Sequence, residues 1–257
     1  EPPILFERAG KIFAVEEGKK EICLTEGLDG EARSPAWDPE RRKWAFLLIK
    51  PGESQIWIRK REGGQLYVGT CPDTSRDLTW GNLLYFTYTQ FGRGGTVQLI
   101  RKRGAFSGVE QDLLAGAIES HPSWANGKLV WSRGRQGPWQ VWIANDTGDD
   151  PRALIEGHCA EPQWSPDGTR IAYSSNRSGA WEIYITEATS RSTNRVTHSP
   201  KGGWARQPAW SPEGDRLVFE ANWRPSGELT QQSNLLTIPT TGGTASLIVE
   251  DGHHPAW

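Results

Sequence analysis

Six polar residues occupy one recurring place, three positions ahead of a tryptophan: Ser34, Asp77, His121, Glu161, Gln207 and His254. Two carboxylates and two imidazoles are donor types that hard and borderline cations accept. Brought to one point, Asp77, His121 and Glu161 would hold a channel cation such as calcium, or the set would bind a small anionic ligand. The plainer alternative is that a water-filled opening simply needs polar walls. His253-His254 is no metal motif by itself, because neighbours in a strand point to opposite faces. Cations surround these positions in the sequence: Arg8, Lys50, Arg93, Arg133, Arg135, Arg177 and Arg224, with Arg33, Arg76 and Arg206 just ahead of the tryptophan motif. Such groups would steer an acidic partner or a sugar acid, although Arg177 would serve equally as a structural bridge between repeats and nearby acids dilute the field. Trp139, Trp181, Trp204 and Trp223 stand where an exposed indole would stack on a sugar or anchor a peptide.

Catalytic chemistry is poorly represented. There is no Gly-x-Ser-x-Gly elbow, the turn that presents a hydrolase serine. The glycine-rich stretch Gly92–Gly95 lacks the strand-to-helix context of a phosphate cradle and reads as a hairpin loop. A metal-dependent polysaccharide lyase or hydrolase is the enzymatic alternative, using His121, His158 and His254, but His158 falls four residues before its proline, out of register with the other two. Cys23, Cys71 and Cys159 have no paired spacing and read as isolated packing thiols rather than a disulfide or zinc framework.

The elements that must position these residues follow from the repeat itself. Trp37, Trp80, Trp124, Trp164, Trp210 and Trp257 recur about 40–47 residues apart, the length of a four-stranded propeller blade. Proline precedes five of them by two positions; Leu78 takes that place before Trp80. A turn follows, clearest in Trp164-Ser-Pro-Asp-Gly168 and Trp210-Ser-Pro-Glu-Gly214, where proline presets one dihedral and glycine accepts the positive φ. Short β-rich runs come next, predicted over Trp44–Ile49, Leu83–Thr87, Leu129–Ser132, Ile171–Ser174 and Leu217–Glu220, with further strands such as Glu182–Thr186 and Asn194–Thr197. The chain stops at His254-Pro-Ala-Trp257, a first strand without its blade, and begins with Ile4–Glu7, Lys11–Val15 and Glu21–Leu24, which read as the other three.

The expectation is therefore an all-β, six-bladed propeller of four-stranded antiparallel blades, one domain over 1–257, closed by the C-terminal strand joining three N-terminal strands. Blade six is shared between about 1–25 and 253–257; the others end near 70, 116, 156, 198 and 249. The six repeat tryptophans are expected to fill space between blades. The Ala221–Ser233 loop, longer than its equivalents, is a candidate for specificity, and the turns around 166–168 and 212–214 should tolerate substitution.

The stretch Glu161-Pro-Gln-Trp-Ser-Pro-Asp-Gly-Thr-Arg-Ile-Ala-Tyr-Ser-Ser-Asn-Arg-Ser-Gly179, followed by Trp181-Glu-Ile-Tyr184, resembles the repeat of TolB-type (WD-repeat-like) β-propellers. The resemblance covers the propeller portion, without the small N-terminal domain that TolB carries. It implies a non-catalytic scaffold that docks a protein or peptide, in the periplasm or outside the cell, on the face where the first strands begin. Asp77, His121, Glu161, Gln207 and His254 would stand at the centre of that face, rimmed by Arg135, Arg177, Trp181, Trp223 and Arg224. A carbohydrate-binding module, with an acidic glycan as ligand, is the alternative.

Composition narrows the partners. The net charge of -2 lacks the basic excess that nucleic-acid binding requires. No apolar run approaches the ~20 residues of a membrane span. Nothing at the start reads as a signal peptide, and the lack of any methionine reads as a processed or trimmed chain, expected to be a monomer.

Overall fold

The computed structural model describes residues 1–257 except 93–94, 106, 108 and 135–137, and the side chains of 92, 95 and 114–116 are likewise outside the described set. Among the described residues every regular element is a strand, and all pairings are antiparallel. β1 (Ile4–Arg8), β2 (Lys11–Val15) and β3 (Ile22–Cys23) make three strands of the first sheet. β4 (Glu31–Trp37), β5 (Lys43–Lys50), β6 (Glu53–Lys60) and β7 (Gln65–Cys71) make the second. A seven-stranded sheet then runs through β8 (Arg76–Trp80), β9 (Leu84–Gly92), β10 (Gly95–Arg103), β11 (Glu110–Ala125), β12 (Lys128–Gly134), β13 (Gln140–Asn145) and β14 (Arg152–Ile155). It spans the two predicted blades in this region because β11 is continuous. Its first half pairs with β10 and its second half with β12.

β15 (Cys159–Trp164), β16 (Arg170–Ser175), β17 (Glu182–Glu187) and β18 (Thr193–Arg195) form a further sheet, as do β19 (Ala205–Trp210), β20 (Arg216–Trp223), β21 (Leu229–Pro239) and β22 (Ser246–Glu250). The last strand, β23 (His253–Ala256), lies beside β1, with Leu5 opposite Ala256 and Glu7 opposite His253. The strand at the end of the sequence thus completes the sheet at its beginning.

The turn chemistry explains the register. In the Trp164 repeat, the Ser165 hydroxyl donates to Asp167 and accepts from the amide of Arg170 at 2.9 Å, while the amide of Gly168 bonds to the carbonyl of Ser165. Ser211 makes the equivalent bond to the amide of Arg216 at 3.0 Å. Each turn therefore fixes where the first strand stops and the second begins, so the alternation of faces cannot slip.

The second strands are nearly continuous apolar runs. Lys-Trp-Ala-Phe-Leu-Leu-Ile-Lys of β5 is buried through its centre on both faces, as a strand between two packed sheets must be. Apolar clusters form where consecutive repeats meet. One joins Ala172 and Ile183 to Trp210, Phe219 and Ile238; another joins Tyr85 and Ile100 to Trp131 and Ala144, inside the seven-stranded sheet. The sheet formed by β1 and β23 packs on both sides, through Phe6 and Trp257 against Val218 and Leu235, and through Leu5 and Ile12 against Trp37 and Trp44. Burial pushes the thiols of Cys71 and Cys159 up to about 11, so both are neutral packing groups, as their sequence context predicts.

Two expectations are corrected here. Ala221–Ser233 is not a long loop: β20 continues to Trp223, which pairs with Leu229, leaving a short connection closed by the amide of Arg224 on the carbonyl of Glu228. Trp223 consequently lies in the core, 7% exposed and tilted against Phe219 at 6.3 Å.

Candidate functional site: the polar mouth of the channel

The six polar positions ahead of the tryptophans converge. Ser34, Asp77, His121, Glu161, Gln207 and His254 line a common cavity of about 570 Å³. They also line a narrow throat of about 80 Å³ beneath it, together with Pro35, Pro122, Pro208 and Pro255. All six share one backbone conformation that the residue types do not announce, left-handed with φ between 47° and 58°. At each, the pairing with the neighbouring strand slips, between Arg33 and Ala36, Arg76 and Thr79, Ser120 and Ser123, Ala160 and Gln163, Arg206 and Ala209, and opposite β23. These are β-bulges, which bend a strand and re-aim its side chains. The left-handed conformation costs a residue with a Cβ roughly 1–2 kcal/mol, so the neighbouring repeats must stabilise it.

At five of the six they do so with hydrogen bonds to the bulged amide. The amide of Ser34 donates to Glu7 Oε1 at 2.6 Å, that of His121 to Asp77 Oδ2 at 3.2 Å, and that of Glu161 to Ser132 Oγ at 2.8 Å. The amide of Gln207 donates to Glu161 Oε2 at 3.0 Å and that of His254 to Glu220 Oε1 at 2.6 Å. The acceptor always comes from the preceding repeat. Glu7, Glu220, Ser132, Ser174 and Thr87 occupy equivalent places on the second strands, each opposite the residue before a bulge or one position earlier. In the second sheet that place holds Leu47, opposite Arg33.

This network defines what each predicted ligand does. Glu161 is 2% exposed; its carboxylate accepts from Ser174 Oγ at 2.6 Å, from the Gln207 amide and from Arg206 Nη2 at 2.5 Å. A buried carboxylate so satisfied is a tie between repeats. Asp77 accepts from Thr87 Oγ1 at 3.0 Å as well as from the His121 amide, and His121 Nε2 lies 3.8 Å from Asp77 Oδ1. As placed, Asp77, His121 and Glu161 form no coordination sphere, and among the described residues no group of three or more His, Cys, Asp or Glu is arranged to hold a metal ion. His158 lies outside the cavity wall.

At the floor, His254 Nδ1 sits 3.4 Å from Glu7 Oε2. Burial alone would lower its pKa, but the bond to Glu7 and the charges of Glu7, Glu220 and Asp77 outweigh that and raise it to about 9. His253 is raised too, chiefly by Glu220 at 3.4 Å. A folded-state pKa above the unfolded value of about 6.5 contributes stability that is complete below pH ~6.5 and lost as pH rises through ~9. Since 45% of the His254 side chain is exposed, solvent screening limits the effect to about 1 kcal/mol. Thermal melts from pH 6 to 10 should show this decline in the parent, and the decline should flatten in His254→Gln; parallel curves would contradict the pairing.

The rim differs from expectation. Arg33, Arg76, Arg206 and Trp139 belong to the cavity wall, whereas Arg177, Trp181, Trp223 and Arg224 do not, and Arg135 and Arg93 lie outside the described residues. Arg224 pairs with Glu228 and Glu250, Arg133 with Glu119, and Arg8 with Glu21. Arg177 stacks over Tyr173 and Tyr184, and Trp181 lies beneath Arg206 at 4.7 Å. The broad basic face is therefore mostly neutralised. Arg76 is exposed at the cavity wall and forms no ion pair with the described residues.

Known proteins resemble this chain in part of the sequence and in fold. Residues 136–233 match the family described as TolB beta propeller domain. A stretch of 99 residues is 32% identical to the Tol-Pal system protein TolB of Bordetella pertussis, covering 34% of this chain and 23% of that protein. In fold, TolB from Acinetobacter baumannii superposes with a TM-score of 0.79 at 15% identity, over 99% of this chain and 65% of that one. Over residues 136–233 the chain is similar in sequence to TolB propellers. A putative TolB from Agrobacterium tumefaciens gives a TM-score of 0.70 at 16% identity, over 97% of this chain and 90% of that one. The family match lies in the second half of the chain, where the Ser-Pro-Asp-Gly and Ser-Pro-Glu-Gly turns are intact. The curated relative is matched over less than a quarter of its length.

Proposed function

We propose that this chain is a non-catalytic, TolB-like binding scaffold that docks a protein or peptide segment on the face carrying the polar mouth. The observation that carries the reading is convergence: six strands, one per repeat, deliver six polar positions to one cavity of about 570 Å³. In this reading the sheets are six blades of one domain, with β11 serving two of them and β23 closing the ring beside β1. The six positions are chemically unlike one another, which favours one composite site for an irregular partner over six equal sugar pockets. The wall offers an exposed Arg76 and a half-buried Trp139, with Arg33 and Arg206 already paired to Glu31 and Glu161, a mixture suited to a peptide carrying acidic and apolar side chains. The likeness to a Tol-Pal system protein supports an envelope setting, periplasmic or secreted, with a protein as partner. The mouth needs no moving part, since bulges and inter-repeat bonds hold it open.

The test is capture from an envelope extract by the parent and by Arg33→Glu/Arg76→Glu, beside a glycan array. A discrete protein retained by the parent, at least tenfold depleted with the double variant, and no glycan binding are expected. Equal capture by both proteins, or glycan binding alone, would contradict the reading.

A further inference from the structure

The opposite end of the channel carries a second cavity. It measures about 480 Å³, within the range of small-molecule sites, and its wall includes all six repeat tryptophans, Trp37, Trp80, Trp124, Trp164, Trp210 and Trp257. Trp80 and Trp124 are half-buried; the others are 3–6% exposed. Among the described residues of this wall one side chain is cationic, Arg41.

Arg41 is out of place in two respects. It stands four residues after Trp37, where the Trp164 and Trp210 turns carry Gly168 and Gly214. Those glycines have φ of 67° and 70°, and Arg41 takes the same left-handed conformation at 56°, which disfavours a residue with a Cβ. Its guanidinium, moreover, makes no hydrogen bond or ion pair with the described residues. Asp38 and Glu213 act on it electrostatically, but Asp38 Oδ1 is taken by the amides of Arg42 at 2.7 Å and Lys43 at 2.9 Å. Burial outweighs those two charges and brings the Arg41 pKa down to about 10, so it remains charged at neutral pH. A charged, partly desolvated fork that no carboxylate of the described residues bonds gains most from a planar anion that it can hold through two bonds. The indoles around it, Trp80 and Trp124 the more exposed of them, give an aromatic lining that suits an aromatic body.

We propose that this tryptophan-lined cavity binds a small aromatic carboxylate, its anionic group held by Arg41 and its ring among the tryptophans. The site shares no wall residue with the polar mouth.

The experiment titrates 1-naphthoate into the full chain, read by calorimetry and by quenching of tryptophan fluorescence. Its neutral analogue 1-naphthalenemethanol, the variants Arg41→Gly and Arg41→Asn, and the mouth variant Arg76→Glu run in parallel. Both Arg41 variants tolerate the left-handed conformation, so their melting temperatures should equal or exceed the parent's. One-to-one binding of naphthoate, at least tenfold weaker binding of the alcohol, at least tenfold loss in both Arg41 variants and none in Arg76→Glu are expected. No binding at millimolar naphthoate, equal binding of the alcohol, or undiminished binding by the variants would overturn the proposal. A lowered melting temperature in both variants would assign Arg41 to the turn and overturn it equally.

Discussion

Deleting residues 253–257 should abolish cooperative unfolding of the native sheet structure. β23 is hydrogen-bonded to β1, so its loss leaves β1 as an open edge over the buried side chains of Ile4, Phe6 and Val218, which pack with Trp257. The deletion also removes the His254 amide, leaving the buried Glu220 without that donor and without His253. Loss of one large buried aromatic alone costs about 3–5 kcal/mol; with the strand pairing and a Glu220 carboxylate left with Ser233 as donor, the total approaches the ~5–15 kcal/mol that stabilises an entire domain. Thermal melts by circular dichroism check this. A truncated chain melting within a few degrees of the parent would show that β23 is dispensable.

Trp210→Ala should cost about 3–5 kcal/mol in denaturant titrations, because the indole is 3% exposed and packs with Ala172, Leu217 and Phe219. It also donates to the carbonyl of Gln163 at 3.0 Å and lies under the Arg170 guanidinium at 4.8 Å, so truncation removes a tie between two sheets as well as volume. Trp223→Ala should cost about 3 kcal/mol or more by the same mechanism, since Trp223 joins the same cluster. A loss below about 1 kcal/mol at either position would mean that the apolar clusters between sheets do not carry the fold.

The contrast between these two residues shows what the sequence reveals. Trp210 belongs to a repeat, and its spacing, its proline and its turn all mark it as an anchor. Trp223 follows Ala221-Asn222 and precedes Arg224-Pro225, which reads as loop chemistry; the structure keeps it in strand because β20 and β21 continue pairing to Leu229. Tertiary pairing overrides local propensity there. The ring of polar positions was legible as a set, because one register places them all. Their left-handed backbone was not, since serine, glutamate and glutamine give no local sign of it; the residues that stabilise it, Glu7, Ser132, Ser174 and Glu220, lie on other strands. For the same reason Glu161 resembles a ligand in sequence and acts in the structure as a clamp between repeats. Arg76 gained importance over Arg224 only once ion pairs were visible, because spacing does not show which arginine finds a glutamate.

In the function proposed above, the polar mouth receives the partner. Hydrogen exchange of the chain, with and without the protein it captures, tests this directly. The account predicts slowed exchange in segments 31–35, 73–78, 119–122 and 205–208, which form the wall of the mouth, with 165–169 and 211–215 unchanged. Protection confined to those two turn segments, with the mouth exchanging as in the free chain, would contradict it.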